Sequence, residues 1–141
     1  MLECIDKAIN EFIDPNKTDK KVSTEFLESL TIDVNSIEPL LGYLFTKAPT
    51  GKHKWCAAFV FHGLIRNRGC LMDFELLDSL IKLFTEEMPK TANDTCFEGQ
   101  LLEIASQILG LLFRFVYELQ IEHYEPLSVV LQLIETNPEF A

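Results

Sequence analysis

The chain has 141 residues, enough for one domain. Hydrophobic residues make up 48% of it and eleven are phenylalanine, which speaks against disorder as its overall state. A formal charge of −10 disfavours general binding to nucleic acid or to anionic membrane.

A helix is expected over residues 2–13, where Leu2, Ile5, Ile9 and Phe12 recur at helical spacing. Asp14-Pro15-Asn16 ends it, and 14–22 reads as a mobile polar linker. A short helix follows over 23–30 with Ser23 as its cap. The third is expected over 36–46, capped by Ser36 and with Pro39 in its first turn. After the turn Ala48-Pro49-Thr50-Gly51 comes a fourth over 52–67, with Gly69 placed as a C-terminal cap. Asp73 caps a fifth that ends before Pro89, with a leucine stripe from Leu76 to Phe84. Residues 90–95 read as a loop. A last helix is expected over 127–135, opened by Glu125-Pro126 and stopped by Asn137-Pro138.

The long apolar stretch lies before that last helix, over 96–120. Its polar positions Glu103, Ser106, Gln107, Gly110, Arg114 and Glu118 form one narrow stripe, and apolar residues fill the remaining circumference. Such a helix is expected at the centre of the domain, wrapped by others. With Glu103, Gln107 and Arg114 inside it, a protein core suits it better than lipid. The fold class read from the pattern is all-α, with about seven helices. They are arranged either as an irregular, solenoid-like helical repeat or as a bundle around the long buried helix. The whole chain reads as a single domain and as part of a larger protein.

Short, leucine-striped helices opening at Ile37-Glu38-Pro39 and Tyr124-Glu125-Pro126 alternate with longer apolar ones. The segment 36–69 resembles an armadillo or HEAT-type repeat. The leucine-rich IEPLLGYLF, the turn KAPTG and the helix KWCAAFVFHGLIRN follow that order, with Ala57-Ala58 where such repeats place small residues. The resemblance implies a helical scaffold with a groove that binds peptides or helices of other proteins.

Charge is unevenly distributed. Residues 47–70 contain Lys47, Lys52, Lys54, Arg66 and Arg68 and no acid, within a chain that is acidic on both sides. These five are the candidate partner-binding residues, suited to an acidic segment of another protein. The competing account is a set of charges that keeps the ends of an apolar helix in water, with Arg66 and Arg68 also facing its negative C-terminal end. Trp55, Phe59 and Phe61 read first as core residues and second as the lining of a peptide groove.

No catalytic motif is present: no phosphate-binding glycine loop, no dinucleotide fingerprint and no nucleophile elbow. His53 and Cys56 are three apart on one helix, but nothing supplies further zinc ligands, so no metal or other cofactor is expected. His62 reads as a core histidine. The scattered Cys4, Cys56, Cys70 and Cys96 suit small buried side chains in a reducing cytoplasmic or nuclear setting. The N-terminal residues lack the pattern of a signal peptide.

The function expected is therefore a non-catalytic protein-interaction or scaffold module that binds a peptide or helix of a partner protein. The alternative is a small helical enzyme or a carrier of an apolar ligand, with a pocket between its helices. No membrane partner is expected, and nucleic acid is disfavoured.

Overall fold

A computed structural model describes residues 2–93 and 97–123, with side chains to residue 120. The expected helix over 127–135 and Cys96 lie outside the described residues. Within them the fold is all-helical and contains no strand. The order is α1 (Leu2–Ile13), α2 (Lys21–Leu30), a 3-10 turn (Val34–Ser36), α3 (Ile37–Gly42) continued by a π turn (Tyr43–Lys47), α4 (Gly51–Arg68), a 3-10 turn (Gly69–Leu71), α5 (Phe74–Glu86), α6 (Met88–Ala92) and α7 (Glu98–His123).

Helix ends follow the chemistry of orphan backbone groups, though not always at the residue singled out in the sequence. The Asp73 carboxylate accepts the Leu76 N–H at 2.8 Å and starts α5 as expected. Thr50 does the same for α4, accepting the His53 N–H at 3.3 Å. Ser23 is not a cap. Helix α2 begins two residues earlier, and the Ser23 hydroxyl donates to the Lys20 carbonyl at 3.1 Å. Ser36 is not one either, because Asp33 opens the preceding 3-10 turn by accepting the Asn35 N–H at 3.0 Å. The loop expected over 90–95 is partly helical: Pro89, which cannot continue α5, sits in the first turn of α6. The connection from α1 to α2 is tied back by a Lys17–Glu11 ion pair at 3.4 Å and by Lys20, whose Nζ donates to the Phe12 carbonyl at 2.7 Å.

Helix α4 holds the centre. Ala57, Ala58, Phe61, Leu64 and Ile65 have no exposure, and they meet Ile5 and Ile9 of α1, Leu77, Leu80 and Phe84 of α5, and Leu101, Ile108 and Leu112 of α7 in one core. Phe61 stacks on Phe84 with centroids 5.2 Å apart, and Phe45 meets Phe84 edge-on at 5.9 Å. Helix α7 runs beside α4 and α5. The expected long helix is there and contributes a full buried row, but it is not wrapped around most of its circumference. Leu102, Phe113 (55% exposed) and Tyr117 (61% exposed) join the polar positions on its outer side. Its main neighbours among the described residues are α4, α5, α6 and the Gly69–Leu71 turn, and they leave that outer side open.

Gly69 has a different role from the one its position suggested. Its backbone is right-handed, not the left-handed conformation of a helix-terminating glycine. A side chain there would overlap the Phe115 ring of α7, so the glycine is required by close approach of two helices.

Candidate functional site

The outer face of α4 is where sequence and fold converge. Lys52, Trp55, Phe59, His62 and Arg66 lie at i, i+3, i+7, i+10 and i+14, which places them on one stripe of the helix. None of the five is buried, although α4 is otherwise the most enclosed helix of the fold. Trp55 and Phe59 stack with ring centroids 5.3 Å apart and planes 20° from parallel, and Phe59 remains 53% exposed.

Two depressions open along this stripe and share Phe12 and Phe59. The larger, about 660 Å³, lies over Lys52 and Trp55 between the end of α1 and the first turns of α7, which contribute Phe97, Ile104 and Gln107. The smaller, about 280 Å³, continues over His62 and Arg66 against α2, which contributes Thr24 and Leu27. Together they form a shallow groove with an aromatic floor on α4. Gly63 allows the α2 wall to come this near, since a Cβ at that position would stand 3.1 Å from the Thr31 methyl.

The five basic residues separate into three situations. Lys52 and Arg66 are exposed at the two ends of the groove and form no hydrogen bond or ion pair with any described residue. Lys54 is committed internally: its Nζ donates to the Thr91 carbonyl at 2.9 Å, at the C-terminal end of α6 where a cation is favoured. Arg68 is also committed, with its Nε donating to the Ile32 carbonyl at 2.9 Å. Lys47 stands apart, beside Leu2, Glu3 and Glu38. The linear basic window thus divides into two helix-joining ties, one remote lysine and a pair of uncommitted cations on one face. Lys20 adds a third cation at the Lys52 end, over the Phe12 ring at 5.9 Å. Glu103 on the α7 wall and Glu28 on the α2 wall are the acids of the groove.

The aromatic residues divide as well. Phe61 belongs to the core, as read first, whereas Trp55 and Phe59 line the groove, which was the second reading. Exposure separates them, and the period-3.6 phase of the charged ends carried that signal: Lys52 and Arg66 share an angular sector with Trp55 and Phe59, and Phe61 does not.

His62 is not the core histidine that the sequence suggested. It is half-buried and lines the groove, and burial followed by the nearby Arg66 lowers its pKa. His53 is the buried one, and both its ring nitrogens are bonded. Thr50 donates its hydroxyl to Nδ1 at 2.6 Å, and Nε2 donates to the Asn10 side-chain oxygen at 2.6 Å. Asn10 in turn donates to Asp6 at 3.2 Å, and the buried Tyr43 hydroxyl donates to the same carboxylate at 2.9 Å. This chain of bonds joins α1 to α4 and to the segment before it. Burial lowers the pKa of His53, with Asp6 opposing that and Lys52 reinforcing it.

Cys56 is buried and its thiol is pushed up to about 11 by burial, the opposite of what a nucleophile needs. Cys4 and Cys70 are exposed, not the small core residues their hydrophobicity suggested. Among the described residues no three His, Cys, Asp or Glu side chains gather in the manner of a metal site. No family model, curated protein or solved structure matches the chain.

Proposed function

We propose that this protein is a non-catalytic interaction module that seats a segment of a partner protein in the groove along α4. The observation that supports this reading is the exposed Phe59 stacked on a half-buried Trp55, on the helix that is otherwise most completely enclosed. A surface aromatic pair lining a concave face loses water on contact with a partner, and binding energy concentrates in such anchors. Free cations at both ends supply orientation and attraction without a buried charge. The armadillo or HEAT-like reading of 36–69 is compatible with this use, since Ala57 and Ala58 are wholly buried where close helix packing needs small residues. A cytoplasmic or nuclear setting accords with the free thiols of Cys4, Cys56 and Cys70.

The test is affinity capture from native extract with the wild-type protein and with Trp55→Ala/Phe59→Ala, followed by quantitative mass spectrometry. Phe59 is exposed and Trp55 half-buried, so the double variant is expected to keep its helical circular dichroism at a moderately lowered melting temperature, and the capture is run well below it. The variant should lose the proteins that the wild type retains. The same set recovered by both proteins would place the interface elsewhere.

A further inference from the structure

The groove also specifies the chemistry of its occupant. We infer that it takes an amphipathic helix with carboxylates toward both ends, contributed by another protein. This rests on the docking reading of the α4 stripe and goes further by naming the partner class.

Three observations carry it. The first is periodicity: Lys52, Trp55, Phe59, His62 and Arg66, none of them buried, follow the i, i+3, i+7, i+10, i+14 ridge that one helix presents to another, and among the described residues α1, α2 and α7 flank that ridge. A helix laid along α4 puts its apolar i, i+3/i+4, i+7 residues onto Phe59 and Trp55. The second is charge. Lys52 and Arg66 are uncommitted, whereas Lys54 and Arg68 from the same helix are satisfied inside the fold. Fourteen residues at 1.5 Å each separate the free pair by about 20 Å, so a partner helix of about four turns meets both. The third is the composition of the middle. The two depressions meet at Phe12 and Phe59, whereas Glu103 lines the Lys52 depression and Glu28 the Arg66 depression. The partner helix is therefore apolar at its centre, with its carboxylates confined to the positions that face Lys52 and Arg66. Extended peptides are disfavoured because the described residues offer no strand edge to pair with.

The test uses the full chain, immobilised, with a phage library of random 18-residue peptides, followed by synthesis of the enriched sequences and fluorescence anisotropy. Enriched peptides are expected to combine helical apolar spacing with Asp or Glu toward both ends, and to gain helical circular dichroism on binding. Binding should weaken about tenfold when Lys52→Glu and Arg66→Glu are combined, and should weaken steadily as salt is raised. Replacing the terminal acids of the peptide by lysine should give a comparable loss against the unaltered protein, which removes any dependence on how the variant folds. Enriched peptides that are neutral, basic or proline-rich, or that bind in an extended form, would overturn this inference. The groove would stand in that case if Trp55→Ala/Phe59→Ala still abolished their binding. No enrichment, or binding indifferent to the aromatic pair, would overturn both the inference and the docking reading beneath it.

Discussion

Helices α4 and α7 are both long and rich in apolar residues, yet they use that property differently. Helix α4 is enclosed by α1, α2, α3, α5 and α7 territory on nearly every side and leaves one aromatic stripe open. Helix α7 has the cleaner hydrophobic run but lies at an edge, with Leu102, Phe113 and Tyr117 outside. By length and composition α7 alone among the described helices could also cross a membrane, a test that apolar core helices pass too. The lesson is that an apolar circumference states what a helix can bury, and the number of its neighbours decides what it does bury. Exposure on α7 is a broad face, whereas exposure on α4 is a stripe that lines two depressions with a cation at each end.

The largest effects should separate buried from open positions on each helix. Leu64→Ala in α4 and Leu112→Ala in α7 remove side chains with no exposure, and each should cost about 2–5 kcal/mol of unfolding free energy in urea titrations. Phe113→Ala should cost less than about 1 kcal/mol if the outer face of α7 is as open as it stands. An equal loss at Phe113 and Leu112 would mean that the outer face is covered in solution.

The glycines sharpen the same contrast with opposite signs. Gly69→Ala forces Phe115 aside and should cost about 1–3 kcal/mol by overpacking. Gly110→Ala on the exposed side of α7 meets no atom within 4 Å and should stabilise by about 0.5–1 kcal/mol, because alanine is the better helix former. Thermal unfolding of the two variants should therefore shift in opposite directions. A destabilising Gly110→Ala would show that something packs against that side.

The basic residues provide the next comparison. Lys54→Met keeps the stem but removes the bond to the Thr91 carbonyl, and should lower stability by about 1–2 kcal/mol. Lys52→Met, two residues away and exposed, should stay within about 0.5 kcal/mol. Melting temperatures of the pair decide whether the window divides into structural and free cations.

The smallest effect is with pH. His53 and His62 both have folded pKa values below the 6.5 of a free imidazole, chiefly through burial. The unfolded chain then takes up protons first, so their contribution is present above pH 6.5 and is lost as pH falls through that value and through the folded pKa. The melting temperature should fall from about pH 7 to about pH 5.5, and His53→Gln should flatten the decline. A profile unchanged by His53→Gln would show that burial of this ring does not set the decline.

Sequence periodicity alone was enough for the all-α class, for most helix centres and for the cap at Asp73. Those features depend on local spacing and on orphan N–H groups, both of which act within a few residues of chain. The candidate site was half legible. The acid-free window around α4 and the aromatic residues within it were visible as composition, and helical phase already placed Lys52 and Arg66 on the side of Trp55 and Phe59. Which cations remain free was not legible, because Lys54 and Arg68 are satisfied by carbonyls 37 and 36 residues away. The same holds for His53, whose partner Asn10 is 43 residues distant, and for Gly69, whose constraint comes from a phenylalanine on another helix. Local residue pattern sets which helices form and which of their faces are apolar. Tertiary packing decided which of those faces meet a neighbour, because burial is a property of pairs of elements and no single element's pattern contains its partner.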